Sequence, residues 1–434
     1  MEIKFPTSVT QLANSLAAGE LDLLDYIDQL EAYFAVREPD VLAFVSEEGD
    51  RFERLRQDAQ LLLATYPDPE KRPSLFGVPI GVKDIFQVNG FTTQAGSKLP
   101  PHILQGEEAP CVTALRDAGA LILGKAVTTE FAYFGPGPTR NPYHPEHTPG
   151  GSSSGSAAAV GAHLAPFAFG TQTIGSVNRP AAFCGVVGYK PSYNRISKKN
   201  VIPLSESLDH IGGFTTDVAS MELVAGLLCQ HWQWVVAERK PVLGVPEGPY
   251  LNRVSEEGRK HFRQVTRQLH DAGFAVKSLH IMPDFDGIYE RHNLIVAAEA
   301  ARFHKNWYEE YQALYHPKTA ELIERGLKVS DKRLERAVAG REKLRHQISK
   351  TMEQNGIDLW LSPPALGAAP KGLDSTGDPV MNLPWTHSGL PTLTLPAGKN
   401  EAGLPLGLQL TGRWYGDEAM LSFALQLEDV LKSN

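Results

Sequence analysis

Two short clusters of small and hydroxylated residues place several nucleophilic oxygens beside flexible backbone. The first is GGSSSGSAAAV at 150–160, and the second is GTQTIGSVNRPAAFCGVVG at 170–188. If the serine that ends GTQTIGS attacks a carbonyl carbon, its own amide and those just before it are close enough in sequence to donate to the oxyanion. These amides belong to Thr173, Ile174, Gly175 and Ser176. The second cluster is therefore suited to acyl-transfer chemistry.

A serine nucleophile needs a general base, and none of the 14 histidines lies in either cluster. Lys83 is the better candidate. It ends a short apolar strand, VPIGVK at 78–83, so its amine can be desolvated, and burial lowers a lysine pKa toward that of a working base. A solvated charge at the end of a strand is the ordinary alternative for a lone lysine.

The first cluster fits other patterns less well. Residues 151–155 match G-x-S-x-G, which would make Ser153 the nucleophile of a strand-turn-helix elbow, but the proline-rich lead-in at 141–149 does not read as a strand. A phosphate-binding loop would need a lysine after its last glycine, and none is present. A Ser-His-Asp set of Ser153, His387 and Asp378 stays open on chain order alone.

The elements that must position these residues follow an α/β pattern. Helices alternate with short apolar strands, which predicts a twisted, mostly parallel mixed sheet with helices on both faces. We expect a single large domain over residues 1–434. Within it lie N-terminal helices at 1–65, a catalytic core at 75–245 and an insertion-like helical layer at 284–354.

Composition excludes several classes of function. The formal net charge is −8, without the clustered Lys and Arg that nucleic-acid binding needs. No apolar run could span a bilayer, and residues 1–12 lack the apolar core of a signal peptide. The cysteines form no zinc pattern, and His144, Glu146 and His147 share a loop without a helical face for a metal. We expect a cytoplasmic protein with a small-molecule substrate, without metal, cofactor, nucleic acid or membrane partner.

Four ordered motifs resemble the amidase signature family of serine hydrolases. They are GVPIGVKDIF (77–86), GGSSSGSAAAV (150–160), GTQTIGSVNRPAAFCGVVGYKPS (170–192) and GLPLGLQLTG (403–412). The likeness covers most of the chain and is weakest over roughly 280–355. Four motifs in order are far more specific than any one of them.

The resemblance implies a Ser-cisSer-Lys triad. By this likeness Ser176 is the acylated nucleophile, Ser152 is the bridging serine that follows a cis peptide, and Lys83 is the general base. Neutral Lys83 would draw a proton through Ser152, which activates Ser176 to attack an amide carbon. Ser153 would support Lys83 by hydrogen bonding.

Departures from the family pattern GTDxGGSIR direct attention to the substrate. Gln172 replaces the Asp, Ile174 replaces a Gly, and Asn178 stands where the Arg would be, so an amide pair takes the place of an acid–base pair. Arg179 matches the pattern of a malonamidase-like branch of the family, in which the arginine at this place contacts the substrate carboxylate. A structural role for Arg179 is equally open. Tyr133 lies in a segment that could line the pocket.

The leading interpretation is an amide hydrolase acting on linear carbon–nitrogen bonds. It would cleave a small carboxamide or acylurea-like substrate through a serine acyl-enzyme and release ammonia or an amine. One alternative is a glutamine-dependent amidotransferase A-type subunit, against which the lost Asp/Arg pair and the absence of a basic face argue. Another is a non-catalytic scaffold or binding subunit, against which the retained Lys83, Ser152 and Ser176 argue. A homodimer is compatible with the sequence.

Overall fold

The alternation of helices and strands continues along residues 3–433, the part of the chain that the computed structural model describes. The strands are β1 (Pro79–Lys83), β2 (Leu121–Ala126), β3 (Phe167–Gln172), β4 (Val187–Lys190), β5 (His210–Thr215), β6 (Val242–Glu247), β7 (Ala275–His280), β8 (Leu359–Ser362), β9 (Thr392–Lys399) and β10 (Pro405–Thr411). The helices are α1 (Val9–Ala18), α2 (Leu23–Val41), α3 (Arg51–Thr65), α4 (Pro110–Asp117), α5 (Ser154–Gly161), α6 (Asn178–Cys184), α7 (Val218–Leu228), α8 (Glu256–Asp271), α9 (Phe285–Tyr311), α10 (Pro317–Gly326), α11 (Asp331–Asn355), α12 (Leu383–Ser388) and α13 (Asp417–Lys432).

One ten-stranded sheet forms the centre of a single α/β domain. Its strand order is β2-β1-β3-β5-β4-β9-β10-β8-β6-β7. The sheet is mixed, as expected, but it is not mostly parallel. Parallel pairs lie at its two ends, whereas β3–β5, β5–β4, β4–β9, β9–β10 and β10–β8 are antiparallel. The hairpin between β9 and β10 is one cause, because a short loop can join only antiparallel neighbours.

Strands β1 and β3 bring the two chemical segments together. They pair in parallel, with Ile80 beside Phe167 and Val82 beside Phe169, and every residue of both strands is buried. Carboxyl ends of parallel neighbours meet at the same edge of a sheet. Lys83 at the end of β1 therefore lies beside the turn that follows β3.

The regions predicted to be helical are helical, and polar side chains cap the starts of some of these helices. Residues 8–63 form α1, α2 and α3, and the Asp22 carboxylate accepts from two amides of the first turn of α2. Residues 284–354 form α9, α10 and α11. Helix α9 packs against both α10 and α11, and α9 and α11 contact α12. None of the helices within residues 3–433 is long and apolar enough to cross a membrane.

Helix α8 corrects the expectation that no basic face exists. Arg259, Lys260, Arg263 and Arg267 are exposed on it and line a shared groove. Within residues 3–433, none of the four forms a salt bridge with a carboxylate. This basic face is not visible as a run of cations in the sequence. Most of the cations are three or four residues apart and become neighbours only when the segment is helical.

Candidate active site

Lys83 is fully buried at the end of β1. Its Nζ lies 2.8 Å from Ser152 Oγ and 2.7 Å from Thr171 Oγ1. Burial lowers its pKa to about 7, and the negative charge of Asp209 partly opposes this shift. The amine is therefore largely able to lose its proton near neutral pH, as a general base must.

The adjacent acid does not neutralise Lys83. Asp84 pairs instead with Lys125 of β2, at 2.8 Å, and Lys125 also donates to Thr93 Oγ1 at 2.9 Å. Among the residues from 3 to 433, no carboxylate oxygen lies within salt-bridge distance of Lys83 Nζ. A buried lysine without an ion-pair partner keeps a lowered pKa, because no salt bridge offsets the cost of desolvating its charge, and the charge of Asp209 opposes the shift only in part.

Ser152 follows a cis peptide bond, Gly151–Ser152. The carbonyl of Gly151 accepts a hydrogen bond from Arg179 Nη2 at 2.6 Å, and the guanidinium also donates to Thr376 O at 2.8 Å and to Thr376 Oγ1 at 3.2 Å. Burial lowers the pKa of Arg179 to about 10. These contacts favour the structural role for Arg179, since one holds the carbonyl that precedes Ser152 and two hold Thr376. Its Nη1 has no hydrogen-bond partner among the described residues.

The turn after β3 presents a row of free amides. The N–H groups of residues 173–176 donate to no acceptor in the described part of the chain. The Thr386 hydroxyl fixes the turn by donating to Ile174 O at 2.8 Å. Ile174 does not have a positive φ, so its β-branched side chain is compatible with the turn. Gly175 is required for space, because a Cβ there would lie 2.2 Å from Asn382 Oδ1. The turn can therefore receive an oxyanion.

Ser176 stands at the end of this turn, buried except for 7% of its surface. Its hydroxyl makes no hydrogen bond to any residue between 3 and 433. The expected relay contact with Ser152 is thus absent in this state, whereas the contact between Ser152 and Lys83 is made. Catalytic hydrogen bonds are often completed only when substrate is bound.

Ser153 does not contact Lys83 in the way the family likeness implied. Its hydroxyl donates to Thr171 O and accepts from Thr171 N, both at 3.2 Å. The second partner of Lys83 is instead the side chain of Thr171. Ser153 directly precedes α5 beside β3, so its short side chain reaches the backbone of that strand and not the amine.

Gln172 and Asn178 do not form the expected amide pair. Gln172 Oε1 accepts from the amides of Val177 and Asn178 at 2.8 and 3.0 Å, and its Nε2 donates to Thr386 Oγ1 at 2.9 Å. The Asn178 side chain binds hydroxyls of β9. Gln172 is fully buried, so it fixes the turn and is not free to bind substrate.

Tyr133 is half-buried and lines a cavity between α9 and α10 with Phe134, Tyr289 and Leu294. A different cavity, of about 430 Å³, is lined by Thr171 and Thr173. Tyr133 therefore does not line the cavity that contains the partner of Lys83.

The rival sites are not assembled. The His387 ring nitrogens have no hydrogen-bond partner among the described residues, and the Asp378 carboxylate accepts from Val380 N. A Ser-His-Asp set with Ser153 is therefore wrong. No cluster of three potential metal ligands occurs between residues 3 and 433, and Glu146 forms an ion pair with Lys371 at 3.0 Å.

Sequence reasoning missed two residues of this region. Thr171 belongs to the GTQTIGS motif, and its hydroxyl could have been considered as a partner for a buried lysine. Asp209 lines the 430 Å³ cavity and accepts from Thr173 Oγ1 at 2.5 Å and from the amides of Leu204 and Ser205. Burial raises the pKa of Asp209 to about 6. It comes from a distant segment without a local pattern, so only the tertiary fold reveals it.

Comparison with known proteins identifies the family. The model of the amidase family matches residues 50–421. The chain belongs to the amidase family. It is similar to the A-type subunit of the glutamyl-tRNA(Gln) amidotransferase of Roseiflexus castenholzii, at 31% identity over 96% of this chain and 94% of the relative, and to that of Lachnoclostridium phytofermentans, at 28% identity over 99% and 98%.

Solved structures of amidases share the fold over nearly the whole length. One described as an amidase has a TM-score of 0.88 and 32% identity, with 97% of this chain and 99% of that chain covered. The peptide amidase of Stenotrophomonas maltophilia has a TM-score of 0.82 and 25% identity, with 98% and 97% covered. The proteins similar to this chain thus include both amidases and A-type subunits of amidotransferases.

Proposed function

We propose that this protein cleaves the carbon–nitrogen bond of a small amide by acyl transfer to Ser176 and then to water. The observation that carries the proposal is the contact of Lys83 with the Ser152 hydroxyl at 2.8 Å, in an environment that lowers the lysine pKa to about 7. A neutral amine beside a hydroxyl is the arrangement that a serine nucleophile needs for activation.

The first half of the reaction forms the acyl-enzyme. Lys83 takes the Ser152 proton while Ser152 takes the Ser176 proton, and the Ser176 oxygen bonds to the amide carbon. The carbonyl oxygen becomes an oxyanion, which the free amides of residues 173–176 can stabilise. When the carbon–nitrogen bond breaks, the proton returns through Ser152 to the leaving nitrogen, and ammonia or an amine departs.

The second half regenerates the enzyme. Water gives a proton to the same relay and its oxygen bonds to the acyl carbon, so the carboxylic acid leaves as the proton returns to Ser176. A small carboxamide or acylurea-like compound is the proposed substrate class. The cavity of about 430 Å³ beside Thr171 and Thr173 is of a size that suits a small molecule.

The test combines labelling and turnover. Intact mass spectrometry after treatment with a fluorophosphonate should show one adduct, on Ser176, and a panel of amides should yield a substrate from which ammonia or amine is released. Ser176→Ala should lose both the adduct and the turnover. An unlabelled wild-type protein would favour a non-catalytic role as a scaffold or binding subunit.

A second candidate function is that of a glutamine-dependent amidotransferase subunit. It is favoured by the relatives that are A-type subunits of amidotransferases, which match at 28–31% identity along nearly all of this chain, and by the unpaired cations of α8, since an RNA partner is polyanionic. Ammonia release from glutamine that appears only with added partner subunits would establish this function. Release from other amides by the isolated chain would establish the first.

A further inference from the structure

Helix α9 belongs to the helical layer at 284–354, yet one of its faces points toward the turn at 173–176. His292 and Glu299 lie seven residues apart on this helix, which places them on the same side, two turns apart. His292 is fully buried, and its ring approaches the backbone of Thr173, although neither ring nitrogen forms a regular hydrogen bond with the described residues. We therefore followed the contacts of Glu299 toward the same turn.

Every hydrogen bond that the Glu299 side chain forms with the described residues goes to one loop, residues 204–209. Its Oε2 accepts from Ser205 Oγ at 2.5 Å and from Ser207 N at 2.9 Å, and its Oε1 accepts from Ser207 Oγ. Hydrogen bonds to a carboxylate are stronger than those between neutral groups. Glu299 therefore holds this loop against α9.

The loop is closed on itself by hydrogen bonds between Asp209 and its first residues. The amides of Leu204 and Ser205 donate to Asp209 Oδ2 at 2.9 and 3.0 Å. The Ser205 carbonyl accepts from the amides of Leu208 and Asp209 at 3.0 and 2.8 Å. Ser205 thus binds Asp209 through its backbone and Glu299 through its hydroxyl, so a displacement of Ser205 must also move Asp209.

Asp209 joins the loop to the turn after β3. Its Oδ1 accepts from Thr173 Oγ1 at 2.5 Å, and both residues are buried. Thr173 supplies the first of the free amides at 173–176, so its side-chain contact helps to set the direction of that amide. Donors to an oxyanion are effective when they are held in place before the reaction begins. The contacts of Glu299 therefore extend, through Ser205 and Asp209, to the turn that can receive the oxyanion.

Glu299 lies behind the wall of the cavity and not in it. Leu204, Glu206 and Asp209 line the cavity of about 430 Å³ together with Thr173, whereas Glu299 is not among its lining residues. A small molecule in this cavity would touch the loop and not Glu299. Any effect of Glu299 on the reaction must therefore pass through the loop.

We propose that Glu299 of α9 is a positioning residue for acyl transfer at Ser176. It holds the loop at 204–209 so that Asp209 keeps Thr173, and with it the turn at 173–176, in the geometry that stabilises an oxyanion. This inference rests on the proposed function, because it assigns Glu299 to the same reaction. It gives the helical layer, where the family likeness is weakest, a part in the organisation of the site.

The rate at which a fluorophosphonate labels Ser176, measured over a series of probe concentrations on the full chain, tests the proposal. Glu299→Ala should lower the maximal rate by about tenfold and change the half-saturating probe concentration by less than about twofold, since the turn stabilises charge that develops only during the reaction. Glu299→Gln keeps an acceptor oxygen for Ser205 and Ser207 and should restore most of the rate. A loss of probe binding without a loss of maximal rate would contradict a positioning role.

The helical layer also offers a matched control. Glu324→Ala removes a carboxylate that accepts from Tyr308 Oη at 2.9 Å, away from the loop at 204–209, and should be labelled as fast as the wild type. An equal loss in Glu324→Ala and Glu299→Ala would overturn the proposal. If circular dichroism shows that Glu299→Ala does not fold, Ser207→Ala removes a single contact of the same carboxylate and should lower the maximal rate by about threefold.

A double-mutant cycle with Thr173→Val tests the route of the effect. Valine keeps the backbone amide but cannot donate to Asp209, so Glu299→Ala should lower the rate of the Thr173 variant by less than about twofold. Losses that multiply would overturn the proposal, because Glu299 would then act by another route. A labelled wild type with undiminished labelling of Glu299→Ala would overturn this inference alone, whereas an unlabelled wild type would overturn the proposed function with it.

Discussion

Lys83 on β1 and Lys190 on β4 are both fully buried, and burial lowers the pKa of each to about 7. Their partners differ. Lys83 Nζ contacts the hydroxyls of Ser152 and Thr171, whereas Lys190 Nζ donates to the carbonyls of Pro191 at 3.2 Å and Leu390 at 2.6 Å. A hydroxyl can pass a proton on and a carbonyl cannot. A lowered lysine pKa therefore marks a base only where the partner is a proton carrier.

Lys125 shows a third outcome for a buried lysine in the same sheet. It is the neighbour of Val82 in the pairing of β1 with β2, and it forms an ion pair with Asp84 at 2.8 Å. Burial lowers its pKa, but the charge of Asp84 opposes the shift. Because Asp84, the acid next to Lys83 in sequence, pairs with Lys125, Lys83 has no carboxylate in salt-bridge contact among the described residues.

The largest effect should come from removing the two lysines one at a time. Lys83→Met should lower kcat/KM for an amide substrate by about 10³-fold, within the range of general acid–base catalysis. Lys190→Met should lower it by less than about tenfold, since only carbonyl contacts are lost. Steady-state kinetics at pH 8 measure both, with circular dichroism to confirm folding. Equal losses in the two variants would remove the distinction between them.

Thr171→Val removes the second hydroxyl partner of Lys83 and keeps the side-chain shape. We expect kcat to fall by about tenfold, because the amine loses a fixed orientation. Thr411→Val is the matched control, since Thr411 lies in β10 with a buried hydroxyl that has no partner among the described residues. Its kcat should equal that of the wild type. A Thr171 variant with full activity would show that one hydroxyl suffices to position Lys83.

Ser153→Ala tests whether the serine next to Ser152 acts on the amine or on the backbone. Its hydroxyl binds the N–H and the carbonyl of Thr171, so the free energy of unfolding should fall by about 1 kcal/mol and kcat by a few-fold. Ser156→Ala removes a similar hydrogen bond to Phe169 O, at 2.8 Å, and should lower stability alone. Denaturant unfolding and kinetics on both variants check this. A loss of kcat/KM as large as that of Lys83→Met would contradict it.

Asp209→Asn should have the smallest effect, a shift of the pH profile. The charge of Asp209 raises the pKa of Lys83, so its removal should lower that pKa. The limb of kcat/KM that rises with pH should then move to lower pH, with little change on the plateau. A limb that moves to higher pH would show that the contact of Asp209 with Thr173 matters more than its charge.

Much of the fold followed from apolar periodicity and helix caps. Strands with every residue buried, such as β1, stand out as apolar runs, and the polar layer at 284–354 is helical throughout most of its length. Whether the central strands pair in parallel or antiparallel could not be predicted from apolar periodicity. An apolar run has the same pattern in either direction, and pairing depends on contacts far apart in sequence.

The site was predictable to the extent that motifs carry it. Lys83, Ser152 and Ser176 were found from motifs, and the structure places Lys83 against Ser152. Two partners could not be predicted because they are distant in sequence: Thr386, which binds Gln172, and Thr376, which binds Arg179. The family likeness also implied that Ser153 would bond to Lys83, but the backbone of Thr171 in β3 is the partner that its hydroxyl binds.

The rate at which a fluorophosphonate labels Ser176, followed across pH by intact mass spectrometry, tests the central claim most directly. Lys83 must be neutral to accept a proton, so the rate should rise with pH through about 7, the pKa that burial gives Lys83, and then level off. This rise of the labelling rate with pH should be absent in Lys83→Met and present in Lys190→Met. A rate that keeps rising toward 10.5, the ordinary lysine pKa, or one that Lys83→Met leaves unchanged, would contradict the account.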